Sequence, residues 1–345
     1  MIRNFFIRFA LVILPFTVSV ALVNYFVDPA NIFSAGTYLN GIAGILSQGH
    51  NVDNVSNYDE RLLQEEMVKH LKQRPDIVVL GSSRIMEVGS ELFPGKKLLN
   101  CGVSHANIKD IIAITGLLDS MQRLPAELIL NVDDGLLGKN YTEEWESIRV
   151  YYDYFFSHYT DPKIDIRSSF AVNKKLFSIF SVSYFQASMQ FLMKKKQKKY
   201  ADVGENFPES EGRLADGTIF YSYEYTHGDV ARIAQVAAET GRKFGVASRD
   251  PDQEKLFSYL LDFFQEKGIA VKLCLMPYHP AYYSSVNEYH RQIFVDYENF
   301  YSNLAQKRGL TIVGSLDPAV QNISDTMFYD MYHCSRTAIK KIFTQ

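Results

Sequence analysis

The chain has 345 residues, 47% of them hydrophobic, and a formal net charge of -3 at pH 7. That much apolar material buries a substantial core, as one large domain or one domain with an elaboration. The charge gives no nucleic-acid footprint, and the three cysteines show no metal-ligand spacing and leave at least one thiol outside any internal disulfide.

From Phe5 to Val27 the sequence is apolar apart from Arg8 and a few polar residues, long enough to cross a bilayer as a helix. Arg3 and Arg8 stand at its start and Asp28 follows its end, so the positive-inside rule keeps the N-terminus in the cytoplasm and puts the rest of the chain outside. A cleaved signal peptide is the rival reading, but it calls for small residues after a shorter apolar core, and Asn24-Tyr25-Phe26-Val27 is bulky. Residues 1–30 are thus expected to form an uncleaved transmembrane anchor, with Pro15 as a tolerated kink, and residues 31–345 an extracytoplasmic domain.

Asp59 to Leu71 places Leu62, Leu63, Met67, Val68 and Leu71 at helical spacing. Asp76 to Leu80 is a short valine-rich run that reads as a buried parallel strand. Gly81-Ser82-Ser83-Arg84 follows, and a glycine before small polar residues lets the chain turn sharply into a helix, exposing a serine hydroxyl at the carboxyl end of the sheet. The alternative is an ordinary strand followed by a serine cap. Arg84 either contacts an anionic substrate or makes a structural ion pair.

Lys97 to Asn100 reads as a second strand ending at Cys101-Gly102, Ile108 to Leu118 as a helix, and Glu127 to Asn131 as a third strand. From about Lys139 to Ala247 the pattern is irregular and too long for an ordinary connection, so it is expected to be an insertion with its own substructure. Tyr151, Tyr152, Tyr154, Phe155, Phe156 and Tyr159 crowd its first part, as a small core or a binding platform. Lys194-Lys195-Lys196-Gln197-Lys198-Lys199 is either a solvated face or an attractor of anionic polymer or lipid headgroups. Asp216-Gly217 looks like a turn entering a strand.

Glu254 to Glu266 is helical, Val271 to Met276 a fourth strand stopped by Pro277, and Thr311 to Val313 the last strand. Strands alternating with helices imply an α/β fold, a doubly wound parallel sheet covered by helices on both sides. His279, just after the fourth strand, would line a pocket at the same sheet end. Beyond the last strand, Asp330 and His333 are spaced to share one side of a helical turn. An aspartate there accepts from one imidazole nitrogen and leaves the other to take a proton from serine.

These residues resemble the SGNH (GDSL-like) hydrolase superfamily, particularly membrane-anchored branches associated with acylation of cell-surface polymers. Gly81-Ser82-Ser83 is similar to its Gly-x-Ser turn, which puts Ser83 in the nucleophile position. Asn100-Cys101-Gly102 falls where the family has its second block, implying that the N–H of Gly102 joins that of Ser83 in holding the oxyanion. Asp330 and His333 match the final Asp-x-x-His block. The family's third block, Gly-x-Asn-Asp, is replaced by Asn131-Val132-Asp133-Asp134, so Asp133 stands where an amide would donate to the oxyanion. A carboxylate donates nothing, so Asn131 or another donor substitutes, catalysis is slow, Asp133 serves the acceptor, or the two aspartates merely cap the next helix.

The resemblance covers roughly residues 70–135 and 250–345, leaving the middle outside. It implies a serine hydrolase or O-acyltransferase on ester groups of surface polysaccharide or a related polymer. A weakly catalytic polymer-binding or assembly protein, or a lipid or small-ester esterase, stays open. No cofactor or metal is required, and the expected partners are the bilayer, the polymer and envelope-biosynthesis proteins, with no nucleic acid.

Overall fold

The apolar runs at the heart of the sequence form one sheet because each is short, buried and followed by a helix-forming segment. The computed structural model of the chain describes residues 2–28, 35–138, 143–159, 179–193, 200–243 and 246–344, with the side chains of 2–10, 12, 35 and 187 outside the description. Its strands are β1 Asn51–Asp53, β2 Ile77–Leu80, β3 Leu98–Asn100, β4 Glu127–Asn131, β5 Ala201–Gly204, β6 Gly212–Arg213, β7 Ile219–Phe220, β8 Ala270–Leu275 and β9 Thr311–Gly314.

Five of them make a parallel sheet in the order β3-β2-β4-β8-β9, with Val79 opposite both Asn100 and Ile129. Among these five the order is 2-1-3-4-5, the doubly wound arrangement whose switch point lies between the first and third strands. Side chains alternate across it. Val78, Leu80, Leu128, Leu130, Leu273 and Leu275 enter the larger core beneath the helices Ile108–Ser120 and Pro251–Glu266. Ile77, Val79, Ile129 and Cys274 enter a smaller one, where Ala338, Ile339 and Ile342 of the helix Arg336–Thr344 pack. The expected helix at 59–71 is Glu60–His70, capped by Asp59.

The irregular middle leaves and rejoins this frame at one place, since Gly138 and Arg249 form a β-bridge. Its first helix, Arg149–Tyr159, lies so close on Ile108–Ser120 that a Cβ on Gly116 would sit 2.2 Å from the Tyr151 carbonyl oxygen. Tyr152, Phe155 and Phe156 are buried there, with the Phe155 ring 4.9 Å from that of Phe263. The aromatic crowd is therefore part of the main core and not a platform.

A second sheet, antiparallel and ordered β5-β1-β6-β7, joins the segment before the first parallel strand to the insertion. Its strands are too short and polar to be read from the sequence, apart from β7 after the Asp216-Gly217 turn. Buried Arg213 fastens it to the frame, donating to the Tyr58 hydroxyl at 2.9 Å and the Gly217 carbonyl at 3.1 Å and pairing with Glu60 at 3.2 Å. A buried cation is tolerable when its donors are satisfied in this way. The run Lys194 to Lys199 lies outside the described residues.

The first helix is Ile2–Val27. No helix among the described residues is long and apolar enough to cross a membrane. The stretch of this helix whose side chains are described starts at Leu11 and is shorter than the roughly 20 residues a crossing takes.

Candidate active site

Strand β2 is followed by Gly81, whose φ of 151° belongs to glycine and whose added Cβ would lie 2.4 Å from Cβ of Asn131. Glycine lets the chain pass against β4 and turn at once. The chain then makes one turn of 3-10 helix, Ser83–Ile85, and not a longer α-helix. Ser82 caps it. The Ser82 hydroxyl lies 2.9 Å from Asn131 Oδ1 and 2.8 Å from Asp133 Oδ2.

Ser83 points the other way. Its Oγ lies 2.8 Å from Nε2 of His333, and Nδ1 of that ring lies 2.7 Å from Oδ2 of Asp330. With a carboxylate at Nδ1, the ring carries its proton there and offers the Nε2 lone pair to the serine O–H. The structure thus brings together the three residues singled out as nucleophile, base and orienting acid, across 250 residues of chain.

Asp330 and His333 do not share a helical turn, as their spacing suggested. They occupy a loop closed by a bridge between Phe328 and Cys334 and by the Tyr329 N–H donating to the His333 carbonyl at 2.9 Å. Asp330 organises this loop itself, its Oδ1 accepting from the N–H groups of Tyr332 at 2.7 Å and His333 at 2.8 Å. Burial works against its charge, but His333, Tyr225 and the Tyr332 N–H outweigh it and hold the carboxyl well below the usual range.

Tyr225 is the residue sequence reasoning missed. It comes from the short helix Tyr223–Thr226 in the insertion, and its hydroxyl donates to Asp330 Oδ2 at 2.6 Å and lies 3.1 Å from His333 Nδ1. Nothing in the local sequence marks one tyrosine among 22.

The donors expected at the oxyanion position are largely committed elsewhere. The Gly102 N–H donates to Asn100 Oδ1 at 2.8 Å, which corrects its assignment as a free oxyanion donor. Asn100 is itself fixed, its amide donating to the carbonyls of Ile85 at 2.9 Å and Val88 at 3.0 Å. Asn131 does not substitute either: its amide donates to the Cys274 carbonyl at 3.2 Å while its Oδ1 accepts from Ser82. The Ser83 N–H makes no hydrogen bond among the described residues and stays available. Asp133 caps the helix Asp134–Leu137, accepting the Leu136 N–H at 3.2 Å, while its other oxygen accepts from Ser82; Asp134 instead accepts from the Tyr278 hydroxyl, so the capping alternative holds for one of the two aspartates.

Two further expectations are corrected. Arg84 is buried, donates to the Met276 carbonyl and lies 4.1 Å over the Tyr278 ring, so its contacts are structural. Burial opposes its charge, but Tyr278 and the Asp133 and Asp134 carboxylates prevail and the net shift is upward. His279 is completely buried, so it lines no open pocket; its Nδ1 accepts the Ala281 N–H at 3.1 Å to cap the helix Pro280–Ser285, and burial lowers its pKa. Buried Cys101, Cys274 and Cys334 are free, and burial pushes their thiols up, the last two to about 12. Two cavities, lined by Arg249, Asp296 and Phe300 and by Leu261, Ile269 and Leu310, include no residue of the site.

No protein-family model matches the chain, and no curated protein matches its sequence.

Proposed function

We propose that the protein is a serine acyl-enzyme catalyst, a hydrolase or O-acyltransferase for ester groups of a cell-surface polysaccharide or related polymer, of the SGNH type. The observation that carries the reading is the unbroken relay Ser83–His333–Asp330, with contacts of 2.8 and 2.7 Å. His333 takes the Ser83 proton as Oγ attacks the ester carbonyl, and the Ser83 N–H donates to the oxyanion. Collapse expels the alcohol, which leaves with the proton held on His333. Water attacking the acyl-serine completes hydrolysis, and a sugar hydroxyl in its place completes transfer. Asp330 stays ionised throughout and keeps the imidazolium oriented.

An N-terminal anchor with the N-terminus in the cytoplasm and the site outside belongs to this reading. Its support is the apolar run of the sequence and the outward exposure of Leu11, Leu14, Phe16 and Leu22 on the first helix. Such side chains face lipid at lower cost than they face water.

A second reading, a catalytically weak polymer-binding or assembly protein, is favoured by the commitment of the Gly102 N–H and the Asn131 amide to intramolecular acceptors. One missing oxyanion donor typically costs on the order of 10²–10³ in rate. A fluorophosphonate probe separates the two. Covalent labelling of folded protein that disappears in Ser83→Ala supports the enzyme, and no labelling of folded wild-type protein sinks it in favour of the binding protein.

A further inference from the structure

We propose that Tyr225 is a positioning residue of this site, a fourth member of the relay that the insertion delivers to the shared oxygen of Asp330. Its hydroxyl donates to Oδ2 at 2.6 Å, the atom that also faces His333 Nδ1 at 2.7 Å. Each oxygen of the carboxylate is therefore doubly engaged, Oδ1 by two backbone N–H groups and Oδ2 by an imidazole and a phenol. A carboxylate with its acceptor sites filled is locked in rotation, and its charge is shared among its donors instead of being directed at His333 alone.

The placement of Tyr225 is built, not incidental. Ser222 caps its helix by accepting the Tyr225 N–H at 3.4 Å, and the ring packs 4.8 Å from that of Tyr221 and 5.7 Å from that of Tyr329. The preceding residues are tied to the nucleophile side of the frame: the Ile219 N–H donates to the Met86 carbonyl at 3.0 Å, and the Asn100 N–H to the Asp216 carbonyl at 2.8 Å. Arg336, from the helix after His333, donates to the Ile219 carbonyl at 3.0 Å. The insertion is thus stitched to both halves of the relay before it hands over Tyr225. The groups around the hydroxyl are Asp330, His333, Tyr221, Tyr329 and Glu87 with its partner Arg336. Burial and then the Asp330 charge push the phenol well above its usual range, so it remains a donor at every working pH.

This inference rests on the acyl-enzyme reading, and its test uses the same probe so that the two fail differently. The rate of fluorophosphonate labelling at Ser83 is followed against pH for the full chain, Tyr225→Phe, and Tyr223→Phe as a control on the exposed side of the same helix. Tyr225→Phe is expected to react roughly tenfold more slowly at neutral pH, the fold-change for losing one charge-assisted hydrogen bond. The acidic limb of its profile should move to higher pH, because the released carboxylate charge falls more fully on the imidazole; Tyr223→Phe should behave as wild type. Site-specific 3-fluorotyrosine at 225, a stronger donor of almost the same shape, should move the limb the opposite way even if the phenylalanine variant folds poorly. An unmoved limb with fluorotyrosine, or equal effects from the Tyr223 control, overturns the role of Tyr225. Absence of labelling in wild type overturns the parent reading instead.

Discussion

The two halves of the relay are held by different means. Ser83 is part of the scaffold: a buried parallel strand, a glycine pressed against β4 and a capped 3-10 turn fix its position, so that displacing it means displacing the sheet. Asp330 and His333 sit on a loop with no strand or helix of their own, held by hydrogen bonds to the loop backbone and to the insertion. The serine is placed by packing and the histidine by polar contacts. Damage to the first should appear as lost stability, and damage to the second as lost rate in a protein that still folds.

The largest effect is expected on the polar half. Asp330→Asn keeps the shape but presents an amide to Nδ1, favouring the wrong tautomer; probe labelling or ester turnover should fall by on the order of 10⁴. Because the fold holds the ionised carboxyl well below its usual range, losing the charge should also lower the melting temperature at neutral pH, with the gap narrowing as pH falls. A variant that lost its fold along with its rate would break the contrast.

Gly81→Ala tests the scaffold half. The added methyl meets Asn131 at 2.4 Å in a backbone conformation that alanine disfavours, and unfolding should become easier by about 2–4 kcal/mol in urea titrations. A variant of unchanged stability with a large rate loss would show that the nucleophile, too, is held locally.

The smallest effect falls where the halves touch. Glu87 follows the nucleophile turn and bonds Arg336 at 3.0 Å, and burial, only partly offset by Arg336, raises its pKa to about 7. Its folded value then lies above its unfolded one, so between pH about 4.5 and about 7 the native state holds a proton that the unfolded chain has lost. Stability should therefore decline as pH rises through that window, by up to about 1.4 kcal/mol per pH unit. In Glu87→Gln that slope should vanish, as thermal melts across the same range would reveal.

Much of the scaffold half was legible because parallel strands buried on both faces are written as continuous apolar runs, such as Ile77-Val78-Val79-Leu80 and Glu127-Leu128-Ile129-Leu130. The turn after β2 was legible too, since the glycine and paired serines have few other uses at a strand end. The antiparallel sheet was not: Asn51-Val52-Asp53 and Gly212-Arg213 have neither the length nor the alternation that marks a strand, and they exist because distant partners supply hydrogen bonds. Asp330 and His333 were found as residues, although their local geometry is an aspartate-organised loop and not a helical turn. Gly102 shows the other limit. Its position matched, but whether its N–H is free depends on the rotamer of Asn100, which no spacing encodes.

The 250-residue separation of Ser83 from His333 gives the chain a safeguard in time. Even once the sheet has placed the serine turn against β4, it lacks a base until the distant loop has closed over it. Such long-range closure comes late in folding. A half-folded chain would carry a serine hydroxyl with no imidazole beside it, and the relay exists only in the finished molecule.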